Sequence, residues 1–326
     1  MIRSLYRAPD GAIRTDLPSD EFGAALLDSR GLLWVDFEAT PPESDEPILR
    51  DVFGFHPLAV SDALQQSHVP KVDDWSEYLY LVLHSAIVEK QTGGHVDTLE
   101  VDVFLGKHFI VTHHDRAIEA IERVWSACQR DERYMRNGAD YLLYRLADEI
   151  VASYMPVVES VDSTIDRIED RIFRQPTPDI LKRTFAIKRA VLRLRRILGP
   201  QREVLNKLAR DDFAVIDPRE RIYFRDVYDH LVRLYDITES VRDLVSGVLD
   251  TYLSVVNNRL GDIVKTLTII TTLFMPLSFV VGFFGMNFFL PSQPLDMGAP
   301  LFLTAGVMML AIPAGMYLWM RRRGWL

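Results

Sequence analysis

Gly285, Met286 and Asn287 are the residues whose types and order best suit the handling of a metal ion. Glycine permits close approach of the backbone, and the asparagine amide oxygen can accept hydrogen bonds from the water shell of a cation. Mg²⁺ gives up its water reluctantly, so a ring of neutral oxygens could select the hydrated ion without trapping it. The tripeptide alone is a weak signal, and its meaning depends on the elements around it.

Two long uncharged segments flank this tripeptide, at 266–284 and 298–320. Each is close to the roughly 20 apolar residues that cross a hydrocarbon core about 30 Å thick. The segment between them, 285–297, is short and broken by proline, which favours a loop. The sequence therefore predicts two transmembrane helices near the C-terminus, with Gly285, Met286 and Asn287 at the start of the loop that joins them.

Basic residues predict how these spans are oriented. Arg259 and Lys265 precede the first span, the tail 321–326 begins with three arginines, and the loop carries only Asp296. Because basic residues stay on the cytoplasmic side, both termini should be cytoplasmic and the loop should lie outside. This predicts a multi-pass protein of the plasma (inner) membrane.

Composition narrows the possible functions. The net charge of −9 argues against a nucleic-acid partner. A single cysteine, Cys128, cannot form an intrachain disulfide, which fits a reducing compartment, and the N-terminus lacks the apolar core of a signal peptide. No nucleophile elbow, phosphate loop or metal-protease motif is present, so an enzyme is not expected.

Residues 1–135 alternate strand-like and helix-like patterns, which predicts a cytoplasmic α/β domain with a mixed sheet. Gly93–Gly94 and Gly106–Lys107 resemble hairpin turns. His113, His114 and Asp115 close the last predicted strand. They could contribute to a metal site, but a strand end followed by an aspartate N-cap is the favoured interpretation.

Residues 136–216 change to helical periodicity and predict an antiparallel helical pair. The first helix has an acidic face and the second is strongly basic, which favours complementary packing, whereas a cation-collecting acidic helix is the alternative. Asp217 and Pro218 then resemble a helix start, and no convincing stop follows before residue 284. A stalk helix at 217–265 should therefore continue directly into the first span.

One face of this long helix is small or polar. Its core members are Asp250, Asn257, Gly261, Val264, Thr268 and Met275, with Thr271 and Ser278 at the edge. The opposite face carries Ile263, Ile270, Leu273 and Phe274, which suit lipid or the second span. The small face could line a pore, or it could be a packing seam between helices. A single helical hairpin cannot enclose a pathway, so a transporter would have to oligomerise.

These patterns together resemble the CorA family of divalent-cation channels over nearly the whole chain. The resemblance rests on FGFHPLAV at 53–60, ADYLLY at 139–144, YFRDVYDH at 223–230, VLDTYL at 248–253, FMPL at 274–277, GMN at 285–287 and the basic cluster before Trp325 and Leu326.

The resemblance implies a funnel-shaped homopentamer that passes Mg²⁺, and often Co²⁺ or Ni²⁺, inward. It places Asn287 at the selectivity entrance, Met275 and Leu267 at a hydrophobic constriction and Asp250 in an acidic ring. Asp226 matches an acid that binds regulatory Mg²⁺ between neighbouring subunits. Asp148 and Glu89 are its implied partners, and intracellular Mg²⁺ bound there would hold the ring closed.

The chain departs from the family pattern at two places. Many relatives follow the tripeptide with a loop containing a glutamate, whereas Asp296 is the only acid here. Gly261 stands where many relatives have a polar residue. Two alternatives therefore stay open: a Zn²⁺ transporter of the same superfamily, and a membrane-anchored metal sensor that conducts nothing.

Overall fold

The computed structural model describes residues 1–65, 69–89, 95–285 and 295–325. They divide into two compact units, Met1–Leu249 and Asp250–Leu326. The predicted turn at Gly93–Gly94 lies outside the described residues, as do Met286 and Asn287.

The first unit contains a seven-stranded sheet in the order β2-β1-β3-β7-β6-β5-β4. Neighbouring strands are antiparallel except for β3 and β7, which are parallel, so the predicted mixed sheet is confirmed. The strands are β1 Ile2–Arg7, β2 Ile13–Thr15, β3 Leu32–Glu38, β4 Lys71–Asp74, β5 Tyr78–Glu89, β6 His95–Gly106 and β7 Phe109–His114.

The central strands have alternating or continuous apolar residues, and their side chains form the core. Runs of β-branched and aromatic residues at 32–37, 78–83, 99–105 and 108–112 predict β3, β5, β6 and β7, but the sequence pattern missed β1, β2 and β4. Both β2 and β4 are short edge strands, and β4 reads Lys-Val-Asp-Asp. Charged, short edges protect a sheet from further pairing, and the same composition hides them from a search for hydrophobic strands.

Ten α-helices are described. They are α1 Phe22–Leu27, α2 Pro42–Pro47, α3 Pro57–Gln65, α4 Glu119–Arg130, α5 Arg133–Arg136, α6 Ala139–Ala152, α7 Tyr154–Arg174, α8 Pro178–Arg210, α9 Arg221–Gly285 and α10 Leu295–Arg322.

His113 and His114 belong to a buried ionic network in the sheet. His114 Nε2 lies 3.1 Å from Asp36 Oδ1, and His113 Nε2 lies 3.4 Å from Asp45 Oδ2. The expected N-cap at Asp115 was wrong, because α4 begins at Glu119 and Ile118 occupies the cap position. The two histidines connect β7 to the carboxylates of neighbouring elements.

The helical region after β7 differs in detail from the expected pair. A break at Ser153 divides the first predicted helix into α6 and α7. At the break, the Ser153 hydroxyl donates to the Ile150 carbonyl and accepts from the Ala86 N–H of β5. The acidic face of α7 forms no ion pairs among the described residues; its members are Glu159, Asp162, Asp166, Glu169 and Asp170. Arg195 of α8 pairs instead with Glu239 of α9. Charge complementarity between α7 and α8 therefore does not explain their packing.

The long helix α9 was predicted from residue 217 to 284, and it runs from Arg221 to Gly285. Its start is later because Asp217 organises a separate turn, in which Asp217 Oδ1 accepts the Arg219 N–H at 2.8 Å. Both α9 and α10 include a segment long and apolar enough to cross a membrane.

Candidate functional site

The small and polar face predicted on α9 is exposed along its whole length. We call it the polar face and include Leu267, the implied partner of Met275. All nine residues are exposed to solvent in the single chain: Asp250, Asn257, Gly261, Val264, Leu267, Thr268, Thr271, Met275 and Ser278. The two largest, Leu267 and Met275, are 62% and 72% exposed. None of the nine is buried by the described part of the chain.

A different stripe of α9 is covered. Six side chains at steps of one, three or four residues are partly or fully buried: Ile269, Thr272, Leu273, Pro276, Leu277 and Val280. On α10 a matching set is covered: Ala305, Ile312, Pro313, Met316 and Met320. Helical spacing on both elements indicates that the two spans pack along these stripes. The polar face is therefore not the seam between α9 and α10.

The face opposite the polar face was expected to suit lipid or the second span, and its members divide between these roles. Leu273 lies in the covered stripe, whereas Ile263, Ile270 and Phe274 are 65%, 49% and 63% exposed. The span thus has a covered stripe, an exposed apolar face and an exposed polar face. An exposed polar face is not expected on a helix that contacts only lipid.

Threonine hydroxyls on α9 are held by the backbone of the helix itself. Thr268 donates to the Val264 carbonyl at 2.8 Å, and Thr271 donates to the Leu267 carbonyl at 2.9 Å. Donation fixes each hydroxyl proton towards the helix and leaves lone pairs of the oxygen as acceptors on the outer side. Such oxygens can accept hydrogen bonds from the water shell of a cation.

Asp148 and Asp226, two of the three acids implied as metal ligands, lie within electrostatic reach of each other in the first unit. Asp226 on α9 is exposed, and among the described residues it forms no ion pair with Arg225 or any other base. Asp148 on α6 is partly buried and accepts a hydrogen bond from Arg145 at 3.1 Å. Burial raises the pKa of Asp148, Arg145 opposes this rise, and the charge of Asp226 contributes to it.

Glu89, the third implied ligand, is the last residue of β5, and its side chain lies outside the described part. Gly285 ends α9, immediately before the undescribed Met286 and Asn287. Within the described residues, no group of three or more His, Cys, Asp or Glu side chains is arranged to hold a metal ion.

Contacts with α6 position the start of α9 and the turn that precedes it. The Asp217 N–H donates to Asp140 Oδ2 at 2.9 Å. The Tyr223 ring stacks on Tyr144 with centroids 4.9 Å apart and meets Tyr141 edge-on at 5.8 Å. These contacts fix the register of α9 against α6 and so bring Asp226 towards Asp148.

Sequence reasoning missed two neighbours of Asp148. Arg145 pairs with it, and the charge of His230 also acts on it. The i,i+3 spacing of Arg145 and Asp148 on a predicted helix was a usable signal for the first pair. His230 follows Asp226 by one helical turn, but nothing in the sequence shows that this turn lies beside α6.

A sequence profile described as "CorA-like Mg²⁺ transporter protein" matches residues 29–322. The chain belongs to the CorA family. The cobalt/magnesium transport protein CorA of Thermotoga maritima is 35% identical over 278 residues, which cover 85% of this chain and 78% of that protein. Membership in the family makes this chain a transporter of Mg²⁺ or related divalent metal ions.

Solved structures show the same CorA fold. The complete structure of the CorA magnesium transporter from Methanocaldococcus jannaschii matches with a TM-score of 0.83 at 20% identity, covering 99% of this chain and 98% of that one. The ZntB cytoplasmic domain from Vibrio parahaemolyticus matches with a TM-score of 0.56 at 14% identity, covering 70% and 88%. At these identities the likeness concerns the fold alone.

Proposed function

We propose that this CorA-family chain forms a homopentameric channel that carries Mg²⁺, and also Co²⁺ and Ni²⁺, into the cytoplasm. The observation that supports it is the polar face of α9, which stays exposed although a separate stripe of the same helix is covered. In a closed ring of subunits, one such face from each would surround a common axis and become buried there.

The polar face has the chemistry of a path for a hydrated ion. Asp250 would supply a ring of carboxylates at the cytoplasmic side, where it attracts cations. Asn257 and the threonine oxygens offer neutral acceptors to the water shell. Leu267 and Met275 would form an apolar constriction that stops conduction when it loses water. Gly285, Met286 and Asn287 would surround the outer entrance, where Asn287 selects the hydrated ion.

The proposed topology places both termini in the cytoplasm of a plasma (inner) membrane. Its support is the distribution of basic residues, with Lys265 before the first span and Arg321 to Arg323 after the second. Residues 1–135 and 136–216 would then form the cytoplasmic part. The stalk 217–265 would connect them to the spans 266–284 and 298–320, and 285–297 would face outside.

We further propose that intracellular Mg²⁺ closes the channel by binding between subunits. Asp226 is exposed and unpaired among the described residues, and Asp148 lies within its electrostatic reach. Two carboxylates on one chain leave a divalent ion short of ligands, so an acid of the neighbouring subunit would complete the site, with Glu89 as the candidate. Loss of the ion would leave carboxylates that repel one another and loosen the ring.

Flux into proteoliposomes tests the proposal. Purified full-length protein is reconstituted, and the entry rates of Mg²⁺, Co²⁺, Ni²⁺ and Zn²⁺ are compared with and without an imposed proton gradient. The channel hypothesis expects Mg²⁺, Co²⁺ and Ni²⁺ to enter under membrane voltage alone. Zn²⁺ preference with proton dependence would instead indicate a zinc transporter, and no flux of any ion would favour a non-conducting sensor.

Zinc is the weaker alternative on chemical grounds. Sites that strip water from Zn²⁺ use cysteine, histidine or carboxylate ligands. The polar face offers only Asp250 among these, so Zn²⁺ would have to pass with its water shell. The similarity to the ZntB cytoplasmic domain does not support zinc transport, because it is a similarity of fold alone.

A further inference from the structure

The C-terminal end of α10 combines two indole rings with three guanidinium groups in one capped helix end. We propose that this end, residues 319–325, binds the headgroups of anionic phospholipids and anchors α10 to a bilayer surface that contains them. The inference depends on membrane insertion of the spans but not on the ion that is carried.

A specific hydrogen-bond pattern ends α10. The Trp325 N–H donates to the Met320 carbonyl at 3.1 Å, and the Gly324 N–H donates to the Arg321 carbonyl at 3.2 Å. Gly324 has φ +73°, the left-handed conformation that glycine adopts without strain. These two bonds with a left-handed glycine form a Schellman motif, which stops the helix at a defined residue and reverses the chain.

The reversed chain brings Trp325 back to Trp319. Their ring centroids lie 6.4 Å apart at 54°, and the Arg323 guanidinium lies 5.7 Å from the Trp319 ring. Both indoles are nevertheless about half exposed, at 53% for Trp319 and 45% for Trp325. The cap therefore holds two amphipathic rings at one level of the helix axis while leaving their outer surfaces free.

Basic side chains dominate the end of α10. Arg321, Arg322 and Arg323 are exposed, and none forms an ion pair with any residue in the described part of the chain. The sequence contains no acid after Asp296. Consecutive spans cross a bilayer in opposite directions, so Lys265, at the start of the first span, adds positive charge on the same surface.

This combination fits a phospholipid better than a soluble anion. Indole rings prefer the boundary between the hydrocarbon core and the headgroups, and basic clusters next to a span attract anionic lipids. Guanidinium groups bind phosphate through paired hydrogen bonds, which ammonium groups cannot reproduce. With Trp319 and Trp325 at that boundary, the adjacent arginines lie at the level of the lipid phosphates.

The structural alternative is that the arginines only balance the negative end of the helix dipole. That role needs neither Gly324 nor the contact between the indoles. It also predicts no difference between lipids that share acyl chains but differ in headgroup charge. Lipid selectivity and its dependence on Gly324 therefore separate the two roles.

The test measures lipids retained by purified full-length protein, using native mass spectrometry after exposure to equal amounts of dioleoyl phosphatidylglycerol and dioleoyl phosphatidylcholine. We expect at least a fivefold preference for phosphatidylglycerol. The triple variant Arg321→Gln, Arg322→Gln and Arg323→Gln should lose it. The matched control removes three exposed positive charges from α8, as Lys182→Gln, Arg189→Gln and Arg196→Gln, and should keep it.

Two further variants test the geometry. Gly324→Ala keeps every charge but strains the left-handed residue, so the preference should fall at least twofold, whereas Gly324→Asn should retain it because asparagine tolerates that conformation. Replacement of the three arginines by lysine preserves charge and serves as the comparison if the glutamine variant does not fold; it should bind phosphatidylglycerol more weakly than the wild type.

Several outcomes would overturn the proposal. They are equal retention of both lipids by the wild-type protein, an unchanged preference in the glutamine or lysine triple variants, and equal loss in the α8 control. Release of the lipid by millimolar glycerol phosphate would identify a site for soluble phosphate instead. Retention is measured without transport, so its result is independent of whether the protein conducts an ion.

Discussion

Asp226 of α9 lies within electrostatic reach of Asp148 of α6, and its negative charge adds to the effect of burial in raising the pKa of Asp148. Removing the Asp226 charge should therefore weaken the binding of a divalent ion between these two carboxylates. For Asp226→Ala we expect the internal Mg²⁺ concentration that halves flux to rise at least fivefold. The measurement is flux into proteoliposomes that contain graded internal Mg²⁺.

Asp236→Ala is the matched control for this experiment. Asp236 is also exposed on α9, but it follows Asp226 by nearly three helical turns. Internal Mg²⁺ should inhibit flux through the Asp236→Ala variant at the same concentration as in the wild type. An inhibition curve that is the same for Asp226→Ala and the wild type would exclude Asp226 from the regulatory site, without bearing on conduction itself.

The separate faces of α9 predict which positions a water-soluble thiol reagent can reach. Cysteines placed at Thr271 or Met275 on the polar face should react and reduce flux at least tenfold, because a reagent in the pathway blocks it. Ile270→Cys on the exposed apolar face would face lipid, where no thiolate forms, and should be unaffected. Equal block at Ile270 and Thr271 would contradict the assignment of the faces.

The single native cysteine makes that experiment possible without a cysteine-free background. Cys128 is fully buried, and burial raises the pKa of its thiol to about 12. Its thiolate is therefore scarce at neutral pH and inaccessible to reagents. We expect less than one tenth of Cys128 to be modified in the folded protein, as measured by intact mass.

Asn287→Ala should abolish Mg²⁺ uptake while the protein still assembles. The alanine side chain has no amide oxygen to accept hydrogen bonds from the water shell of the ion. We expect uptake to fall at least tenfold, measured as flux alongside the mass of the assembled protein. Undiminished uptake by a correctly assembled variant would remove Asn287 from the proposed entrance.

The buried pair of His113 and Asp45 predicts a pH dependence of folding stability. Burial alone would lower the pKa of His113, but Asp102 and Asp45 together raise it to about 9. A raised histidine pKa stabilises the folded state fully below about pH 6.5, and this stabilisation is lost as the pH rises through 9. The free energy of unfolding should fall by about 1–3 kcal/mol over that window.

Comparison with His113→Gln isolates this contribution. Glutamine keeps a hydrogen-bonding group but cannot gain a charge, so the variant should be less stable at pH 6.5 and should lose less stability towards pH 9. Thermal or denaturant unfolding of both proteins at the two pH values measures the difference. Parallel pH profiles would show that His113 does not titrate in this window.

Membrane character and family were readable from the sequence because they depend on local composition and order. An uncharged run must be long enough to cross a bilayer, and basic residues at 321–323 end the second run. The long helix α9 was equally readable, since helical periodicity continues without a stop. Its start was misplaced by four residues, at 217 instead of Arg221, because a turn capped by Asp217 has the same residue types as a helix start.

The surroundings of the histidines in β7 could not be predicted in the same way. His113 and His114 are adjacent in sequence, but the carboxylates they meet come from β3, α2 and β6. Strand pairing decides those neighbours, and a β-strand turns adjacent side chains to opposite faces. The sequence therefore allowed a metal site or a helix cap, whereas the packed sheet places both histidines against buried carboxylates.

The sequence by itself determined two spans, a continuous helix leading into the first, a mixed α/β domain and membership in the CorA family. These follow from hydrophobic runs, periodicity and motifs, which are properties of neighbouring residues. Only the tertiary structure decided that one stripe of α9 is covered while the polar face stays exposed, and that Asp226 lies within electrostatic reach of Asp148. Both features depend on how segments distant in sequence pack together. The energy of that packing comes from contacts that cannot be predicted from neighbouring residues in the sequence.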